Sequence, residues 1–279
     1  MSARKKSRRP GASRPQRTGR SRGAPRRLVA PLALVAVVLS AAAVGGVLVL
    51  VAGRGGGPPP PVPNTAVIVD HLSLTAPSPE FVDAATHTLE EAGFTVDYFP
   101  GEEVTVDFYR NLQTKGYELI IFRAHSSQIQ GEWKGKMYDE TVLFSDEPYD
   151  KTLYVDEQKD FSLGQVYASE GGPRFFGIGS GFVRSSMRGN FEGTTINMMG
   201  CNGLKTRTTA QAFLDRGAKA VVSWDSDVSS GHTDRATERL LELLAGEGLT
   251  PEEAVAQTAD ELGPDPAYDA ELTVLSAEG

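Results

Sequence analysis

Tyr117-Glu-Leu-Ile-Ile-Phe-Arg-Ala-His125-Ser-Ser127 and Thr195-Ile-Asn-Met-Met-Gly-Cys201-Asn-Gly203 decide how this chain is read. Each is a short, largely apolar run with turn residues nearby, which predicts a strand buried on both faces. Each ends on a side chain able to do chemistry: the first on one of four histidines, the second on the only cysteine. In open α/β sheets, functional groups gather beyond the carboxyl ends of parallel strands. A thiol and an imidazole brought together there are what a cysteine nucleophile and its general base require.

The flanking sequence supplies the rest of such a sheet. Residues 66–70 form a β-branched run. A helix over 79–92 follows, with Phe81, Ala84, Ala85 and Leu89 at helical spacing and Gly93 as its stop. Residues 94–99 read as a second strand and 104–113 as a helix, ahead of the strand at 118–123. This β-α-β-α-β rhythm predicts a doubly wound, mostly parallel α/β sheet flanked by helices. Residues 126–190 break the rhythm; rich in Tyr, Asp, Gly and Lys, they read as an insertion, with hairpin strands expected at 141–144 and 152–155. The rhythm resumes with a strand at 195–200, a helix at 208–216, a strand at 220–224 and a helix at 234–244. Thr250-Pro-Glu-Glu then opens a last helix, to about 262.

Charge is segregated along the chain. Residues 1–27 hold eleven Lys/Arg and no acid, and Arg54 adds one more. From residue 55 onward, 16 basic residues stand against all 36 acidic ones, a formal charge of about −20. So acidic a body repels phosphate backbones, and no nucleic-acid partner is expected. Between tail and body, residues 28–52 are uncharged and long enough to cross a bilayer as one transmembrane helix. Basic residues ahead of that span predict a single-pass membrane protein, with residues 1–27 a cytoplasmic tail and the C-terminal domain extracytoplasmic. A cleaved signal peptide, with Arg26-Arg27 as a twin-arginine pair, is the alternative; both readings export the body. Residues 53–64, with the run Gly-Gly-Gly-Pro-Pro-Pro-Pro, are a semi-stiff linker, and 65–279 is the folded domain.

A single cysteine excludes an intramolecular disulfide, and its place at a strand end favours chemistry over packing. The polar turn after Cys201 leads into a helix, whose positive end is expected to lower the thiol pKa. One Cys and scattered His do not make a zinc site, so no metal is expected. Gly177-Ile-Gly-Ser-Gly181 lies inside the insertion rather than at a first strand–helix junction, so no dinucleotide or other cofactor is expected. No Gly-x-Ser-x-Gly elbow follows a strand, which disfavours a serine hydrolase. His71 adjoins Asp70 at a strand end and is read as structural, with support of the site as the alternative, while His87 and His232 are expected on the surface.

The order strand-His125-Ser126, insertion, strand-Gly200-Cys201-Asn202-Gly203, helix, then the strand Gly217-Ala-Lys-Ala-Val-Val222 resembles the caspase–gingipain–legumain superfamily of cysteine peptidases (clan CD), CHAT-like and gingipain-type domains within it. The resemblance covers roughly residues 65–244 and implies a caspase-like three-layer sandwich. It implies Cys201 as nucleophile and His125 as base, acting through a thioester acyl-enzyme. Backbone N–H groups of Ser126 and Cys201 would form the oxyanion hole. Ser126 stands where the family usually has glycine. The family's primary pocket draws on residues after the first strand and after the strand that follows the cysteine. That points to Asp70, Trp224, Asp225 and Asp227 as substrate-binding residues, their carboxylates selecting Arg or Lys. The expected function is a membrane-anchored, extracytoplasmic cysteine endopeptidase acting on a peptide or protein substrate. The alternative is a catalytically inactive binding or signalling module of the same fold.

Overall fold

A computed structural model describes residues 64–133 and 135–277. The expected cytoplasmic tail and transmembrane span, and most of the expected linker (1–63), lie outside the described residues. Among those described, no helix is long and apolar enough to cross a membrane.

The main sheet has six strands: β1 (Thr65–Asp70), β2 (Thr95–Pro100), β3 (Leu119–Arg123), β8 (Thr195–Met198), β9 (Ala220–Trp224) and β10 (Leu272–Ser276). Their spatial order is β10-β9-β8-β3-β1-β2. All pairings are parallel except that of β10, which runs antiparallel to β9. Helices cover both faces, so the fold is mixed α/β with a largely parallel sheet. The side-chain period of two sorts β1 between them. Ala66 and Ile68 pack with Phe81, Ala85 and Leu89 of α1 (Pro79–Glu91). Val67 and Val69 face the opposite layer with Tyr109, Phe182 and Phe213. Those three come from α2 (Val106–Asn111), α4 (Ser180–Ser185) and α5 (Thr208–Leu214). All five residues of β3 are buried, as a strand covered on both faces requires.

Residues 126–178 contain a second, four-stranded antiparallel sheet in the order β4-β5-β7-β6. Its strands are β4 (Ser126–Trp133), β5 (Lys136–Pro148), β6 (Leu163–Val166) and β7 (Phe175–Ile178). Leu143, Leu163, Phe176 and Ile178 sink into the same core as Ile120 and Phe122, so the inserted segment is packed onto the domain.

Several sequence expectations need correction. Residues 152–155 are no strand; they form a turn entering α3 (Val155–Lys159). The strand at 141–144 is part of a much longer β5. The helix expected from 234 begins at Ser230 as α6 (Ser230–Leu241), and His232 within it is buried against Trp224 at a ring-centroid distance of 5.3 Å. β10 has no counterpart in the sequence reading: Leu272-Thr-Val-Leu-Ser276 alternates only weakly and follows a polar stretch. The last helix, α7 (Pro251–Leu262), has the expected start. Thr250 and Glu253 form a reciprocal capping box and Pro251 fills the first turn.

Candidate active site

β1, β3 and β8 are neighbours and run in the same direction, so their carboxyl ends open on one edge of the sheet. His71 follows β1 directly, His125 lies just past β3 and Cys201 just past β8. β1 to β3 is also where the strand order reverses, the place at which open α/β sheets part to form a crevice. Pairing of β3 and β8 continues past the strand ends, with the Met199 N–H donating to the Phe122 carbonyl at 3.0 Å. The chain then closes tightly. A Cβ at Gly200 would overlap the Ala124 carbonyl oxygen and the Ser126 hydroxyl, so only glycine lets the two strand ends meet here. The Ser126 hydroxyl donates to the Cys201 carbonyl oxygen at 2.6 Å. Asn202 takes a left-handed conformation (φ 59°), which Asn tolerates better than most residues. Its carbonyl accepts from the Thr141 hydroxyl at 2.5 Å, and its Nδ2 donates to Asp227 at 2.5 Å.

The result is a cleft of about 280 Å³ lined by His125, Cys201, Ser126, Asn202 and Asp227, with Tyr167 and Tyr268 among its remaining walls. Both tyrosines are more than half exposed. The Cys201 thiol is partly buried, 3.8 Å from the Val228 carbonyl to which it donates. Burial pushes its pKa up, and the Asp227 carboxylate adds to the rise through charge and a hydrogen bond. The sequence had suggested the opposite, a thiol acidified by a helix N-terminus. α5 starts only at Thr208, and the turn before it folds against β9 through a Leu204 N–H to Trp224 carbonyl bond of 2.9 Å. A macrodipole acts within about one turn of the helix end, so the surroundings that govern the thiol are burial and Asp227.

Burial also lowers the His125 pKa, which keeps the imidazole neutral at pH 7. Its Nε2 lies 3.1 Å from the Thr75 hydroxyl. Its ring sits 5.8 Å from His71, edge to face, and 5.8 Å from Phe144. His71 itself is buried, its pKa lowered to about 4 by burial first and by His125 second. Burial thus favours the neutral form of both the Cys201 thiol and the His125 imidazole.

Of the four side chains expected to bind substrate, Asp227 lines the cleft. Asp70 is buried and bound to Arg123 at 2.8 Å, with Tyr98 donating to its other oxygen. Arg123, fully buried, also grips Asp234 of α6 through two bonds of 2.9 and 3.0 Å. Trp224 is buried and donates to Thr233 at 2.9 Å. Asp225 is occupied in pairing with Glu271 ahead of β10. These three residues hold the domain together and do not reach the cleft. The sequence reading passed over Thr75, Phe144, Tyr167 and Tyr268. All four lie outside the two strand motifs, and none carries a signature residue type.

No known protein family matches this chain, and no curated protein matches it by sequence. Among solved structures, the chain is similar to the Arg-specific cysteine proteinase gingipain R. That similarity has 13% identity and a TM-score of 0.39, covering 71% of this chain and 42% of the other. The chain therefore spans less than half the length of that protein.

Proposed function

We propose that this protein is a cysteine endopeptidase of the caspase-like type, with Cys201 as nucleophile and His125 as general base. The observation that carries the reading is the shared cleft: a lone thiol and an imidazole, from the carboxyl ends of adjacent parallel strands, line one opening. As the Cys201 sulfur attacks the carbonyl carbon of a peptide bond, His125 takes the thiol proton. The carbonyl oxygen becomes an oxyanion, received by the backbone N–H groups of Ser126 and Cys201. His125 then gives its proton to the departing amine and the C–N bond breaks, leaving a thioester. Water, deprotonated by His125, hydrolyses that thioester and restores the thiol.

Asp227 is the carboxylate in the cleft and favours a basic side chain at the cleaved position. The basic tail and uncharged span before the domain support its display on the outer side of a membrane.

Acyloxymethyl ketone peptides carrying Arg, Lys, Asp or Asn at the reactive position test this on the full-length protein. Labelling is expected with the Arg and Lys probes, abolished in Cys201→Ala and strongly reduced in His125→Ala. Labelling that persists in Cys201→Ala, or none with any probe, would sink the peptidase reading and favour a binding module of the same fold.

A further inference from the structure

Thr75 lies just past the 3-10 turn His71–Leu74, outside both motifs that locate the thiol and the imidazole. Its hydroxyl oxygen is 3.1 Å from His125 Nε2. The segment that carries it is firmly mounted. The Thr75 and Ala76 N–H groups both donate to the Leu72 carbonyl, at 3.0 and 2.7 Å. Ser73 accepts from the Gly101 N–H at 2.8 Å. Arg123 donates to the Ala76 carbonyl at 2.8 Å and is itself clamped between Asp70 and Asp234. Arg123 ends β3, the strand that leads to His125, so one buried guanidinium fixes both sides of the Thr75–His125 contact. His71, from the same turn, adds an edge-to-face ring contact.

A neutral imidazole carries one N–H and one lone pair, and the bond made by one nitrogen sets the role of the other. We propose that Thr75 is the positioning residue of the pair: its hydroxyl oxygen accepts from His125 Nε2–H, fixes the ring and leaves the Nδ1 lone pair to take the proton of the Cys201 thiol. This rests on the reading of Cys201 and His125 as nucleophile and base. When the ring becomes an imidazolium on attack, the same bond becomes charge-assisted and strengthens, so Thr75 stabilises the charged intermediate as well as orienting the resting base. It touches neither substrate nor sulfur.

The test uses full-length protein with ¹⁵N-labelled histidine, and variants Thr75→Val and Thr75→Ser. Long-range ¹H–¹⁵N spectra report the His125 tautomer, the signals being assigned with His125→Asn. Wild type and Thr75→Ser are expected to show Nε2–H as the dominant tautomer, and Thr75→Val a mixture. Peptide-probe labelling of Cys201 is expected to slow roughly tenfold in Thr75→Val through lost orientation, with its acid limb displaced, and to recover in Thr75→Ser. Urea unfolding should barely move, because Thr75 is exposed. A Thr75→Val protein that keeps both tautomer and rate overturns the proposal, as does a Thr75→Ser protein that behaves like Thr75→Val. A wild type that no probe labels refutes the peptidase reading instead. The tautomer then still decides the positioning role: its loss in Thr75→Val supports that role and its persistence overturns it.

Discussion

The Ser126 hydroxyl donates to the Cys201 carbonyl oxygen across 2.6 Å, joining the two strand ends that carry His125 and Cys201. Ser126, which stands where the resembled family usually has glycine, acts as a tie, its hydroxyl turned toward the Cys201 backbone carbonyl. Replacing it with Ala removes one hydrogen bond at a partly buried position, worth about 1 kcal/mol. Ser126→Ala is therefore expected to lower the urea midpoint modestly at an unchanged slope. It should slow probe labelling more than that stability loss explains, because the Cys201 backbone N–H belongs to the same peptide framework. Labelling at the wild-type rate would show that the tie has no part in positioning the thiol.

Arg123 answers two carboxylates from inside the core, and both lose their partner if it is removed. Arg123→Met fills the space but strands Asp70 and Asp234. The expected cost is about 3–5 kcal/mol, the usual penalty for breaking a buried ion pair from one side. Adding Asp70→Asn and Asp234→Asn to that variant should recover much of the loss, since no uncompensated charge then remains. Denaturant unfolding of the single and triple variants checks both statements.

The fold was legible where burial on two faces writes itself as a short, largely apolar run, as in β3, β8 and β9. It was illegible where a strand is held by its neighbour rather than by its own pattern, as in β10, which pairs only with β9 at the sheet edge. Trp224 and Asp70 looked like pocket residues because both stand at strand ends. A sequence does not show that Thr233 will occupy Trp224 or that a buried Arg123, shared with the distant Asp234, will occupy Asp70. The thiol misled in the same way. A helix follows Cys201 along the chain, but burial, with Asp227 from beyond a different strand adding to it, sets the thiol's shift in space. Position along a strand was readable; which partner reaches each strand end was not, because those partners arrive from elsewhere in the sequence.

His71 provides a pH signature for stability. Its pKa falls from 6.5 in the unfolded chain to about 4 when folded, through burial and then the neighbouring His125. The unfolded state therefore binds the proton first. The stabilising effect is complete above about pH 6.5 and is lost as the pH falls toward 4, by about 3 kcal/mol in all. His71→Gln keeps a polar side chain at this buried position but does not titrate. The difference in unfolding free energy between wild type and His71→Gln, measured from pH 7.5 to 4, should shrink steadily in that window. A constant difference would mean that His71 is not held neutral.

Asp227 makes Cys201 less ready to give up its proton, adding to the larger effect of burial, and replacing its carboxylate tests that contribution. The carboxylate sits at an exposed position, bonded to Asn202 Nδ2 at 2.5 Å, and it raises the thiol pKa beyond what burial alone does. Asp227→Asn removes the charge yet keeps an oxygen that can accept from Asn202, so the left-handed turn at Asn202 is retained. The rate of iodoacetamide alkylation follows the thiolate fraction. Its midpoint should shift to lower pH in Asp227→Asn, but only part of the way to an ordinary thiol, because burial is the larger cause and remains. The same variant should lose its preference for Arg and Lys probes over Asn while reacting faster with iodoacetamide. Selectivity and intrinsic reactivity moving in opposite directions would assign both effects to one carboxylate; a midpoint that stays in place would remove Asp227 from control of the nucleophile.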